Sequence, residues 1–129
     1  MKPINPEGWP QPRGYANAML AENGVLFIAG QIGWDTQGKL APDFVSQFRQ
    51  ALVNIHAIVE AADGRVEQIA RLTWYVTDLE QYRAHAREIG SAYREVFGKH
   101  FPAMTVVEVR SLVEKDALIE IEATAVLTD

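Results

Sequence analysis

Hydrophobic and polar positions recur along this chain with two periods, and the switches between them mark out the elements. Residues 25–32 (Val-Leu-Phe-Ile-Ala-Gly-Gln-Ile) form a nearly continuous apolar run behind the turn signal Asn23-Gly24 and predict a strand. Residues 15–19 predict a short strand ahead of it. After a second turn at Asp35-Thr36-Gln37-Gly38, the apolar positions Phe44, Phe48, Leu52, Ile55, Val59 and Ala62 recur at helical spacing. Asp43 stands where an N-cap is needed, and Asp63-Gly64 stops the helix. Residues 71–76 then change to a period of two, with Leu72, Trp74 and Val76 on one face and Arg71, Thr73 and Tyr75 on the other. That is the pattern of a half-buried strand.

Thr77 and Glu80 have the spacing of a capping box opening a second helix, with a stripe of Tyr82, Ala86, Ile89, Tyr93, Val96 and Phe97 and an end at Gly98. Pro102 starts the next strand, residues 111–116 turn the chain, and residues 118–126 form a final strand. The expected order is β-β-α-β-α-β-β, an α+β fold with a mixed sheet and both helices on one face, because each helix has a single apolar stripe. The other face of the sheet then needs a cover. With the chain's own helices used, a partner subunit is the expected cover. The first dozen residues hold four prolines and little periodicity, and read as an extended arm on a single domain spanning 1–129.

Composition narrows the function classes. No apolar stretch approaches the ~20 residues needed to cross a bilayer, and the N-terminal residues lack the apolar core of an export signal, so a cytoplasmic protein without membrane contact is expected. The absence of cysteine excludes disulfides, thiol nucleophiles and thiolate metal sites. A net charge of −5, with twelve basic residues scattered singly, argues against nucleic acid as a partner, which needs clustered Lys and Arg.

Glu120 and Glu122 alternate with apolar neighbours, so both carboxylates leave the backbone on one side. Two readings stay open. One of them is a general acid/base or water-positioning group in a cleft; or the pair forms an ion-paired strand face with Arg110 across a hairpin and Lys115 near the turn. Tyr15 follows Arg13-Gly14 at the end of the arm and either hydrogen-bonds a ligand carboxylate or simply anchors the arm to the core. Gly30-Gln31-Ile32-Gly33-Trp34 ends a buried strand, where backbone N–H groups could meet an anion or the glycines merely relieve crowding. His56, His85 and His100 are far apart and predict no metal site, and no serine nucleophile motif is present. Trp34 and Trp74 read as core or interface residues.

The segments Gly14-Tyr15, Phe27-Ile28-Ala29-Gly30-Gln31-Ile32, Gln50-Ala51-Leu52-Val53-Asn54-Ile55, Thr77-Asp78-Leu79, Phe101-Pro102-Ala103 with Val107-Glu108-Val109, and Ile119-Glu120-Ile121-Glu122-Ala123 together resemble the RidA/YjgF family, over about residues 14–126. The resemblance implies a chorismate-mutase-like homotrimer whose sheets face inward, with three clefts between subunits for a small-molecule metabolite. It implies hydrolysis of reactive enamines and imines to 2-oxo acids and ammonia, with no metal or organic cofactor. Residue by residue, it implies that Glu120 orients the attacking water, that Tyr15 assists, and that backbone N–H groups near Gly30 and at Val106 hold the substrate.

The family's carboxylate-gripping arginine falls at Met104. Methionine has neither charge nor donors, and losing a hydrogen bond to a charged group costs about 1.5–3 kcal/mol, roughly ten- to a hundredfold in affinity. A Met-lined pocket suits an uncharged or aromatic end instead. Val106 stands where a cysteine is common, which matters less because only its backbone is invoked. Arg13, two residues before Tyr15, is the candidate replacement for the missing charge. The functions carried forward are therefore a divergent enamine/imine deaminase or related hydrolase, a non-catalytic metabolite-binding or protein-protective trimer, and the endoribonuclease or translation-inhibitor activity in the family's names.

Overall fold

The computed structural model describes residues 1–128. The strands are β1 (Lys2–Ile4), β2 (Ala18–Leu20), β3 (Val25–Ile32), β4 (Ile69–Val76), β5 (Ala103–Glu108) and β6 (Ile119–Val126). The helices are α1 (Phe44–Ala61), α2 (Leu79–Ala84) and α3 (Ala86–Phe97), with a 3-10 turn at Val66–Gln68. One six-stranded sheet runs β1-β2-β3-β6-β4-β5, antiparallel everywhere except for the β4–β5 pair.

All three helices cover one face, as their single apolar stripes require. From α1, the side chains of Phe48, Leu52, Ile55, Ile58 and Val59 are fully buried against Leu26, Leu72, Val76, Ile119 and Ile121 of the sheet. The Phe48 ring meets Trp74 at 4.8 Å between centroids. Asp43 caps α1 as its sequence predicts: its carboxylate accepts from the Ser46 N–H at 2.9 Å, and Ser46 Oγ accepts from the Asp43 N–H at 3.2 Å. The Ser46 backbone and hydroxyl hydrogen bonds hold the Asp43 carboxyl below its ordinary pKa.

The structure departs from the sequence reading in five places. The arm is not wholly extended and free: Lys2–Ile4 adds an edge strand to β2, with Ile4 buried, and proline is tolerated there because an edge has no second neighbour. The first hairpin strand lies at Ala18–Leu20 rather than at 15–19, so Tyr15 precedes it. Asp78, not Thr77, caps the second helical segment, through its carboxylate to the Glu80 N–H at 3.0 Å, while Thr77 turns its hydroxyl to the Leu118 carbonyl. That segment is also two helices. His85 leaves helical geometry between α2 and α3, which lets Tyr82 meet the Trp74 ring edge-on at 6.0 Å while Ile89, Tyr93 and Phe97 turn into the core.

Strands β5 and β6 are not a hairpin, because β4 lies between them. Arg110 follows β5 and so cannot face Glu120 across a shared ladder. The described residues hold three ion pairs (Arg49–Glu95, His56–Glu60 and Arg83–Glu80), none of which involves Glu120 or Glu122.

Candidate functional site

The face of the sheet without helices carries Arg71, Thr73 and Tyr75 from β4 beside Glu120, Glu122 and Thr124 from β6. This is the period-two arrangement that the sequence predicts. Tyr75 stands opposite Glu120 in register, yet its phenol O–H donates diagonally to Glu122 Oε1 at 2.6 Å. That bond to an acceptor carboxylate favours the protonated phenol and raises the Tyr75 pKa, with burial and the charges of both glutamates acting in the same direction. A hollow of about 400 Å³ on this face reaches Phe27, Arg71, Thr73 and Glu122.

Glu120 differs from Glu122 in its surroundings. It is half-buried, and burial, followed by the Glu122 charge, raises its pKa above the ordinary glutamate value. The space it occupies exists because residue 30 is glycine. A Cβ on Gly30 would stand 2.6 Å from Glu120 Cδ. Strand β3 is irregular between Ile28 and Gln31, which sets Gly30 against the Glu120 side chain. Buried amides fix this irregular stretch. Gln31 Nε2 donates to the Ala29 carbonyl at 3.1 Å, and Asn54 of α1 donates to the carbonyls of Ile32 and Trp34 at 3.1 and 2.9 Å.

Tyr15 lies elsewhere. It is 57% exposed at the mouth of a cavity of about 170 Å³, where the arm residues Trp9 and Pro12 meet Trp34 and Asn54. Arg13 is exposed and lines neither this cavity nor the hollow beside Glu122.

Met104 and Val106 form the third group. They stand in register with Leu72 and Trp74, so they belong to the helix-bearing face, opposite to Glu120. Beyond β5 the sheet ends, and Val109 donates its N–H inward to the Val76 carbonyl at 2.8 Å. By the two-residue period, Val107 and Thr105 point the same way, which turns the N–H groups of Met104 and Val106 to the open edge. Met104 lines a cavity of about 210 Å³ under α2 and α3.

One chain thus brings Glu120 to Gly30 and sets Met104 and Val106 on the opposite face, while Tyr15 lines a different cavity from those beside Glu122 and Met104, and Arg13 lines none of the three. The sequence reading missed Tyr75, whose contact with Glu122 spans 47 positions, and it missed the amides Gln31 and Asn54. Asn54 was visible as a polar residue inside the apolar stripe of α1, the signal by which a buried hydrogen-bonding side chain can be found. Among the described residues no cluster of His, Cys, Asp or Glu could hold a metal ion, and no helix is long and apolar enough to cross a membrane.

The family model for Endoribonuclease L-PSP matches residues 10–127. A RutC family protein of Pyrococcus horikoshii is 42% identical over 122 residues, covering 92% of each chain. A 2-iminobutanoate/2-iminopropanoate deaminase of Salmonella typhimurium is 41% identical over 106 residues, covering 79% of each. The crystal structure of Escherichia coli TdcF with bound serine superposes with a TM-score of 0.83 at 33% identity over 98% of both chains.

Proposed function

Because the chain belongs to the Endoribonuclease L-PSP family, which includes the RutC and RidA proteins, we propose that it hydrolyses a small enamine or imine in clefts between copies of itself. The observation that carries this reading is Glu120, a half-buried carboxyl of raised pKa held in space that only a glycine at position 30 leaves open. Ionised, it takes a proton from a water molecule as the water oxygen bonds to the imine carbon, and passes that proton to the imine nitrogen. Ionised again, Glu120 takes the hydroxyl proton of the resulting carbinolamine and delivers it to the amino nitrogen as the carbon–oxygen double bond forms and the carbon–nitrogen bond breaks. Ammonia leaves and the 2-oxo compound remains. An enamine enters the same sequence after tautomerising to the imine. No metal or organic cofactor takes part.

A homotrimer supplies the rest of the site. Glu120 and Met104 lie on opposite faces of one sheet, so a cleft holding both needs a second copy to contribute one of them. The helix-free face, with Phe27 48% exposed beside Thr73 and Tyr75, is the surface such copies would cover. The edge-facing N–H of Val106 and the phenol of Tyr15 then hold the substrate, and Met104 softens the end that a strand-borne arginine would otherwise grip.

The experiment is ammonia release from 2-iminobutanoate generated in situ, run beside sedimentation equilibrium. Wild type should turn this small carboxylate substrate over slowly, and Met104→Arg should be faster. Glu120→Gln should lose about a hundredfold or more in kcat while staying trimeric. Rapid wild-type turnover indifferent to Met104→Arg, or a stable monomer at micromolar concentration, would contradict the proposal. Retained ligand affinity with no turnover in wild type would favour the non-catalytic binding trimer instead. A ribonuclease reading has the least support, since a net charge of −5 with scattered cations offers little to a phosphate backbone.

A further inference from the structure

The cavity beside Met104 is an aromatic box with one charge. Trp74, Tyr82, Tyr93 and Phe101 supply its rings, Met104 closes the strand side, and Arg94 of α3 is the sole charged lining residue. Tyr93 and Phe101 stack at 5.3 Å with 13° between their planes, and Tyr82 meets Trp74 edge-on, which gives the walls a fixed geometry. The indole N–H of Trp74 is a buried donor without an acceptor among the described residues.

Arg94 has no ion pair and no side-chain hydrogen bond among the described residues. Its guanidinium nonetheless has a defined resting place. It folds back one turn along α3 over Gly90, where an added Cβ would come within 3.2 Å of Nη1. A glycine inside a helix costs about 1 kcal/mol relative to alanine, so its presence at position 90 needs a use. The room it leaves is occupied by a guanidinium poised at the mouth of an apolar cavity.

We propose that Arg94 provides, from helix α3, the charge that Met104 does not provide from β5, and that this cavity receives a ligand with an aromatic body and a carboxylate end. The proposal rests on the reading of Met104 as part of the substrate cleft. The guanidinium is a two-pronged donor matched to a carboxylate, and an unpaired one leaves both prongs available. Its shift from strand to helix sets the anionic group against α3 and lays the body of the ligand on Met104 and Phe101. This accounts for a family member that forgoes the strand arginine while retaining Glu120 and Gly30.

Phenylacetate and its uncharged isostere phenylacetamide are the probes, with affinities measured by calorimetry on the full chain, so that no turnover is required. Wild type and Glu120→Gln should prefer the carboxylate by about tenfold or more. Arg94→Gln should bring the two ligands to within about twofold by weakening phenylacetate alone, and adding Met104→Arg should restore the preference. Arg13→Ala should leave it intact. Equal affinities in wild type, binding of neither probe, a preference surviving in Arg94→Gln, or one lost in Arg13→Ala would each overturn the assignment. Failure of catalysis with this pattern intact would refute only the hydrolase reading. Arg94 is exposed, and unchanged thermal unfolding of the variant would exclude a folding defect as the cause.

Discussion

Gly30 and Glu120 share one space: a single methyl group at residue 30 would stand 2.6 Å from the Glu120 carboxyl carbon. Gly30→Ala should therefore displace the carboxylate before it disturbs the core. Forcing a methyl into filled space costs about 1–3 kcal/mol, and part of that strain is relieved by swinging the glutamate outward. Turnover should fall at least tenfold while the far-ultraviolet circular dichroism stays that of wild type. Full activity in this variant would remove Glu120 from the mechanism.

Glu120 also fixes a pH dependence. Its folded-state pKa lies above the ordinary 4.5, first through burial and then through the Glu122 charge. The folded protein therefore holds this proton longer than the unfolded chain. The associated stability is complete below about pH 4.5 and is lost as pH rises through the folded-state value. Glu120→Gln cannot titrate, so in urea unfolding it should gain on wild type as pH increases across that window. Hydrolysis needs the ionised form, and kcat/KM should climb over the same interval.

Tyr75 should titrate above the ordinary phenol range because its proton is shared with Glu122. Glu122→Gln removes the charge that resists ionisation, and the phenolate absorbance of Tyr75 should then appear at lower pH. Tyr75→Phe should cost about 1–3 kcal/mol in urea unfolding of the assembled protein, because copies covering this face would keep water from the Glu122 carboxylate that loses its donor.

Gln47 should matter far more to stability. It is 2% exposed, accepts the Leu118 N–H at 2.8 Å and donates to the carbonyls of Ala41 and Asp116. Gln47→Leu would leave those backbone groups without partners, at about 1–3 kcal/mol for each one that water cannot reach. A drop of about 2–4 kcal/mol in urea unfolding is expected. Gly33 is what lets the Gln47 backbone come this close, since a Cβ there would stand 2.4 Å from the Gln47 Cα.

The local parts of this fold were legible because each rests on neighbouring residues. The Asp43 cap, the stripe of α1, the alternation of β4 and the common face of Glu120 and Glu122 all follow from spacing alone. The partner of Glu122 was not, since it depends on β6 inserting beside β4, a pairing set by the whole sheet. Strand β1 has three residues, too few for a period to show. The break at His85 was hidden because the apolar spacing of Tyr82, Ala86 and Ile89 continues through it. At the site, Gly30 and Glu120 were each identifiable, but their mutual contact belongs to the register between β3 and β6.

Strand β6 follows every other strand in chain order and yet lies between β3 and β4 in the sheet. During synthesis, the ribosome must release residues up to about 126 before those two flanking strands can be bridged, so the emerging polypeptide holds an open gap where Glu120 will lie. Closure then joins segments separated by much of the chain, the slow kind of step that leaves bare backbone edges available to chaperones or to neighbouring nascent chains.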